Sequence, residues 1–138
     1  MTIEEAWIEI KRIGAIWKEH RNSKDITGLQ WVRDEISEAL LNIGELETEI
    51  FNKLVLAEQK RKECVEDGLE AAKTEYADKK VKTNMDFIKN SVNIGCREFF
   101  RDEQRLVSEH HSIKTLMARA DQILHSVSTS IRMILKID

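Results

Sequence analysis

The chain has 138 residues, a formal net charge of −3, and 34% charged against 41% hydrophobic residues, which allows one folded domain with a real core and excludes whole-chain disorder. It has no proline, five glycines and a single tyrosine, a composition of long helices rather than sheets, so the expected fold class is all-α. Charge is uneven: residues 1–59 carry 7 Lys/Arg against 12 Asp/Glu, and residues 60–138 carry 15 against 13. The first half is therefore acidic, and the basic character lies in the second.

Thr2 and Glu5 form a capping box that starts a first helix at Ile3 and places an N-terminal helical segment over residues 1–22. Its apolar row is Ile3, Trp7, Ile10, Gly14 and Trp17, flanked by Ile13 and Ile16, and the tryptophans read as large packing anchors. Asn22-Ser23-Lys24-Asp25 is a polar break. Thr27 with Gln30 forms a second capping box, so helix two is expected over 28–73. Its row, Val32, Ile36, Leu40, Ile43, Glu47, Ile50, Leu54, Ala57, Arg61 and Cys64, steps by four and three, as in a helix packed lengthwise on another.

From Glu63 to Asn93 the pattern loosens, with Asp67-Gly68, Thr83-Asn84 and Asn93-Ile94-Gly95 as candidate breaks, and residues 74–84 are expected to form a basic turn region. A C-terminal helix is expected over 85–137. Its row is the strongest signal in the chain: Val92, Cys96, Phe99, Glu103, Leu106, His110, Ile113, Met117, Ala120, Leu124, Val127, Ile131 and Ile134. Only Glu103 and His110 interrupt it. A second row of Phe100, Val107, Leu116, Ile123 and Met133 widens the apolar face beyond one partner helix, which predicts a homo-oligomer held through Leu106, Ile113, Met117, Leu124, Val127 and Ile131. The two long helices should fold back as an antiparallel hairpin with coiled-coil-like packing, carrying the short N-terminal helix, in one domain over 1–138.

Catalytic constellations are missing. There is no Gly-rich phosphate loop, His-Glu-x-x-His, Cys-x-x-Cys or Gly-x-Ser-x-Gly, and Trp17, Val107, Ser108 and Gln122 stand three residues before the four histidines where a di-metal bundle needs glutamates. No enzyme and no cofactor are expected. His110-His111 reads as a solvent-facing or register-setting pair rather than a metal site. Cys64 and Cys96 both fall on apolar rows, where free thiols pack as small hydrophobes, in keeping with a reducing compartment. Neither a leader pattern nor a run of 18 apolar residues is present, so the expected setting is cytoplasmic, with no membrane partner.

Charge features remain. Arg97, Arg101 and Arg105 share one helix face, which is by default a solvated, salt-bridged face. The functional reading joins Arg97 and Arg101 to Lys60, Arg61, Lys62, Lys79, Lys80 and Lys82 as a phosphate-binding surface completed by assembly of subunits.

The order of these features resembles the recombination mediator proteins of T-even-type phages: a short N-terminal helix, a helix from Leu46-Glu47-Thr48-Glu49-Ile50 to the basic Gln59-Lys60-Arg61-Lys62, a polar middle, and the ending Leu116 to Ile134 with Ile123-Leu124-His125-Ser126-Val127 inside it. Such mediators are small all-helical proteins that load a recombinase onto single-stranded DNA already covered by its binding protein. The resemblance implies that Lys60, Arg61 and Lys62 contact single-stranded DNA, that the C-terminal helix oligomerises, and that a recombinase or other host enzyme is the protein partner. Two other readings stay open: a small phage or mobile-element protein that inhibits a host protein such as a defence nuclease through its acidic N-terminal half, and a structural coiled-coil adaptor.

Overall fold

A computed structural model describes the backbone of residues 1–79 and 85–137 and the side chains of residues 1–75 and 85–136. Every element among them is an α-helix: α1 (Ile3–His20), α2 (Ile26–Lys79), α3 (Met85–Gly95) and α4 (Arg97–Ile137). The long helices α2 and α4 pack against each other as a helical hairpin. Their pairing is antiparallel, because Glu47 and Arg61 rise along α2 while their partners His110 and Glu103 fall along α4, and Cys64 of α2 joins Cys96 directly before α4.

Helix α1 starts as the sequence predicts. The Thr2 hydroxyl accepts from the Glu5 amide at 3.1 Å while the Thr2 amide donates to the Glu5 carboxylate at 3.2 Å, which satisfies two amides that the helix itself leaves open. The second start differs from expectation. Asp25, not Thr27, opens α2: its carboxylate accepts from the Gly28 amide at 3.2 Å and its carbonyl from Leu29 at 3.1 Å. An aspartate is a better cap than a threonine and adds negative charge at the positive helix end, so the earlier residue wins. Position 28 then has little room, since a Cβ there would come within 2.8 Å of the Asp25 carboxylate and 2.9 Å of the His20 ring.

The chain, expected as one domain, divides into two compact units, Met1–Glu49 with Glu109–Asp138, and Ile50–Ser108. The first is a three-helix bundle. Its core is Ala6, Ile10 and Ile13 of α1, Leu29, Val32, Ile36, Ala39 and Ile43 of α2, and Ile113, Leu116, Ala120, Val127 and Ile131 of α4, all buried. Most of them lie on the expected rows, turned inward at helical spacing, while Ala6, Leu29 and Ala39 join them from positions beside those rows.

The second unit has a thinner core of Ile50, Ile88, Cys96 and Leu106. It is held by a covalent bond that the sequence reading did not foresee: Cys64 and Cys96, expected as free thiols, form a disulfide between Cα atoms 6.1 Å apart. Both cysteines sit on the facing rows of an antiparallel pair, which brings them within bonding reach. The single C-terminal helix expected over 85–137 is two helices, with Cys96 itself as a turn between them. The break falls directly after Asn93-Ile94-Gly95, and the Cys96 carbonyl accepts from both Phe99 and Phe100 at the start of α4. Helix α3 lies close on α2, where a Cβ at Gly68 would stand 2.7 Å from Val92 Cγ1. Helix two runs six residues past its expected end at Lys73, so the first part of the expected turn region is helical.

Candidate binding surfaces

The polar residues on the two helical rows meet each other. In the first unit His110 and Glu47 pair at 2.8 Å, with side chains 14% and 24% exposed. In the second unit the Arg61 guanidinium pairs with the Glu103 carboxylate, at 23% and 17% exposure, and lies 5.4 Å from the centre of the Phe100 ring. Buried charges need partners. Each interruption of one row therefore supplies the partner for an interruption of the other, and His110 is a register-setting residue between helices, whereas His111 is exposed. Among the described residues no three His, Cys, Asp or Glu side chains converge as metal ligands.

This geometry sorts the basic positions. Arg61 is engaged between helices by Glu103 and is only partly exposed. Lys62 is exposed and pairs along its own helix with Glu58 at 2.8 Å, a hydrogen bond that holds the Glu58 carboxyl below its ordinary range. Lys60, Arg97 and Arg101 are exposed and form no ion pair among the described residues. Lys60 stands one turn before Cys64 and Arg97 directly follows Cys96, so the cross-link keeps their Cα atoms within roughly 16 Å. Lys79 ends α2, and nothing is described of its side chain; Lys80 and Lys82 lie outside the described residues.

The row expected to hold subunits together is occupied within one chain. Leu106, Ile113, Val127 and Ile131 are buried, and Met117 and Leu124 are half-buried, against the chain's own helices. The reason is that α2 offers a complementary row of the same period, so the seam closes within the chain. Apolar side chains that remain exposed on α4 are Phe99, Val107, Met133 and Leu135.

In the first unit the acidic half of the sequence acquires a shape. Glu5 and Glu9 of α1 and Glu35 and Glu38 of α2 line a recess of about 250 Å³. Arg12 bridges two of the four, reaching Glu9 at 2.6 Å and Glu35 at 3.2 Å, and lies 5.8 Å from the centre of the Trp31 ring. Its hydrogen bond holds the Glu9 carboxyl below the usual carboxylate range and raises the arginine's own value further. The i, i+4 spacing of Glu5 and Glu9 was visible in the sequence, but which helix would face them was not. No known protein family, curated protein or solved structure matches this chain. No helix among the described residues is long and apolar enough to cross a membrane.

Proposed function

We propose that this is a non-enzymatic helical accessory protein that binds single-stranded nucleic acid through the exposed cations of its second unit, as the mediator resemblance implies. The observation that supports this reading is the freedom of Lys60, Arg97 and Arg101 at the level of the Cys64–Cys96 cross-link, in a chain that is otherwise net acidic. The contact set differs from the one the sequence suggests, because Arg61 has an internal role. Three cations on one rigid hairpin make a weak site, so useful affinity requires several copies side by side. Assembly would use side chains that one chain leaves exposed, such as Val107 and Met133.

The test is salt-dependent binding of an oligothymidylate to the full chain. Each phosphate contact removed lowers the salt slope by about 0.7 on single strands, so Lys60→Ala/Arg97→Ala/Arg101→Ala lowers it by about 2. No affinity at ~50 mM salt, or an unchanged slope in the triple variant, overturns the reading. A second reading, inhibition of a basic host protein such as a defence nuclease, draws on the four glutamates of the acidic recess. Stoichiometric capture of one protein that is lost in Glu5→Gln/Glu38→Gln, with no retention of single strands, would favour it.

A further inference from the structure

Between α1 and α4 of the first unit lies a half-open cleft of about 360 Å³, at the lower end of the range typical of small-ligand pockets. Ile10, Gly14 and Ile123 form its apolar floor. The floor is open because position 14 has no side chain: even a Cβ there would only reach ordinary contact with Ile123, at 3.6 Å. Trp17 is one wall, and since it is half-buried it offers an edge to pack against rather than a free platform for stacking.

The rim is cationic. Lys11 and Lys18 stand seven residues apart on one face of α1, about 10 Å along its axis, and Arg119 faces them from α4 with its guanidinium 5.5 Å from the centre of the Trp7 ring. None of the three forms an ion pair among the described residues, and no acid lines the cleft. Lys11 and Lys18 come from residues 1–59, where acids outnumber bases 12 to 7, and Arg119 comes from the more basic remainder. Gln122 adds an amide that can both donate and accept beside the apolar floor.

We infer that this cleft docks a short acidic segment of a partner protein, inserting one aromatic or large aliphatic side chain against Ile10, Gly14 and Ile123 while flanking carboxylates meet Lys11, Lys18 and Arg119. Charge complementarity selects an anion, and the apolar floor selects one that carries an anchor side chain. The Gln122 side-chain amide, which also lines the cleft, can pair with a peptide backbone group. A nucleic-acid strand fits less well, because it needs a continuous cationic track and open aromatic faces, whereas the three cations are confined to one rim and Trp17 is partly covered. The inference is independent of the nucleic-acid reading, whose residues lie in the other unit.

The experiment uses the full chain and a dye-labelled synthetic peptide of aspartates and glutamates with a single phenylalanine, followed by fluorescence anisotropy at low salt. The wild type binds it, and Lys11→Ala/Lys18→Ala weakens binding roughly tenfold through two lost ion pairs. Ala15→Trp abolishes binding by filling the cleft from an exposed position that supports no core residue, with helix content by circular dichroism unchanged. No binding by the wild type overturns the inference, as does equal binding of a peptide with serine in place of phenylalanine. Direct binding of a labelled oligothymidylate that competes with the peptide on the wild type and is lost in the Ala15→Trp variant assigns the cleft to nucleic acid instead and also overturns it. The reading of Lys60, Arg97 and Arg101 stands or falls on its own salt slope in each case.

Discussion

Replacing Arg61 with leucine tests whether the second unit is held in register by its ion pair. The guanidinium and the Glu103 carboxylate are about four-fifths covered, so the substitution leaves a carboxylate largely removed from water with no partner. Full burial of such an orphan costs about 3–5 kcal/mol, and the remaining exposure lowers this to about 2–3 kcal/mol. For a chain of 138 residues that corresponds to a fall in melting temperature of roughly 7–10 °C. The double variant Arg61→Leu/Glu103→Leu removes both charges and leaves apolar groups that can pack beside Phe100, so it should return to within about 1 kcal/mol of wild type. Thermal unfolding of the four proteins of this cycle, followed by circular dichroism, gives the coupling energy directly. The relevant transition is the one that drops on reduction of the Cys64–Cys96 bond. A loss below about 0.5 kcal/mol in Arg61→Leu would mean an ordinary surface pair, and simple additivity in the double variant would refute the register argument.

Cys64→Ser should destabilise the second unit by about 4 kcal/mol on the chain-entropy model, given a sequence separation of 32 residues, and the wild type should show the same loss in excess dithiothreitol but not in buffer alone. Two glycines in α2 should respond in opposite directions. Gly44→Ala meets nothing within 4 Å and should stabilise by up to about 1 kcal/mol, whereas Gly68→Ala drives a methyl into Val92 and should cost about 1–3 kcal/mol in urea unfolding. Acid unfolding should carry a contribution from Glu9. Arg12 lowers its folded pKa, so the associated stability is present above the unfolded carboxylate value and is lost as pH falls through the lower folded value; Arg12→Ala should therefore lower stability at neutral pH, flatten the acidic limb, and leave stability below the folded value almost unaffected.

The legible part of this fold was its periodicity. The capping box at Thr2 and the polar break before α2 appear at the expected residues, and of the two four-three rows Val32, Ile36, Ile43, Ile50, Cys96, Leu106, Ile113, Ala120, Val127 and Ile131 are buried, whereas Leu40, Met117 and Leu124 are half-buried and Phe99 is exposed. The start of α2 was misread by two positions because the Thr27–Gln30 capping box was weighed above Asp25, whose carboxylate is the better cap and adds charge that favours the helix end. The partner of the C-terminal row was not local information at all. A row of that length asks only for a complementary helix, and the chain's own α2 meets the demand as well as a second copy would.

What could have decided between the two was the set of residues that seem to spoil the rows. In an antiparallel pair, positions that rise along one helix fall along the other, so a single register has to match every polar interruption at once. Glu47 with His110, Arg61 with Glu103 and Cys64 with Cys96 are three such matches, chemically distinct and in registers that agree to within seven residues. A sliding register satisfies the apolar residues many times over, since leucine and isoleucine are interchangeable to a neighbouring helix; it satisfies an arginine, a histidine and a thiol together only once. The two cysteines, expected as free thiols, lie between the registers of the Glu47–His110 and Arg61–Glu103 pairs, so an antiparallel alignment of the rows brings them near each other. The cleft between α1 and α4 had no such signal, because Lys11, Lys18 and Arg119 acquire a common rim only when the short helix docks, and nothing in the period of either helix specifies the angle at which it does so.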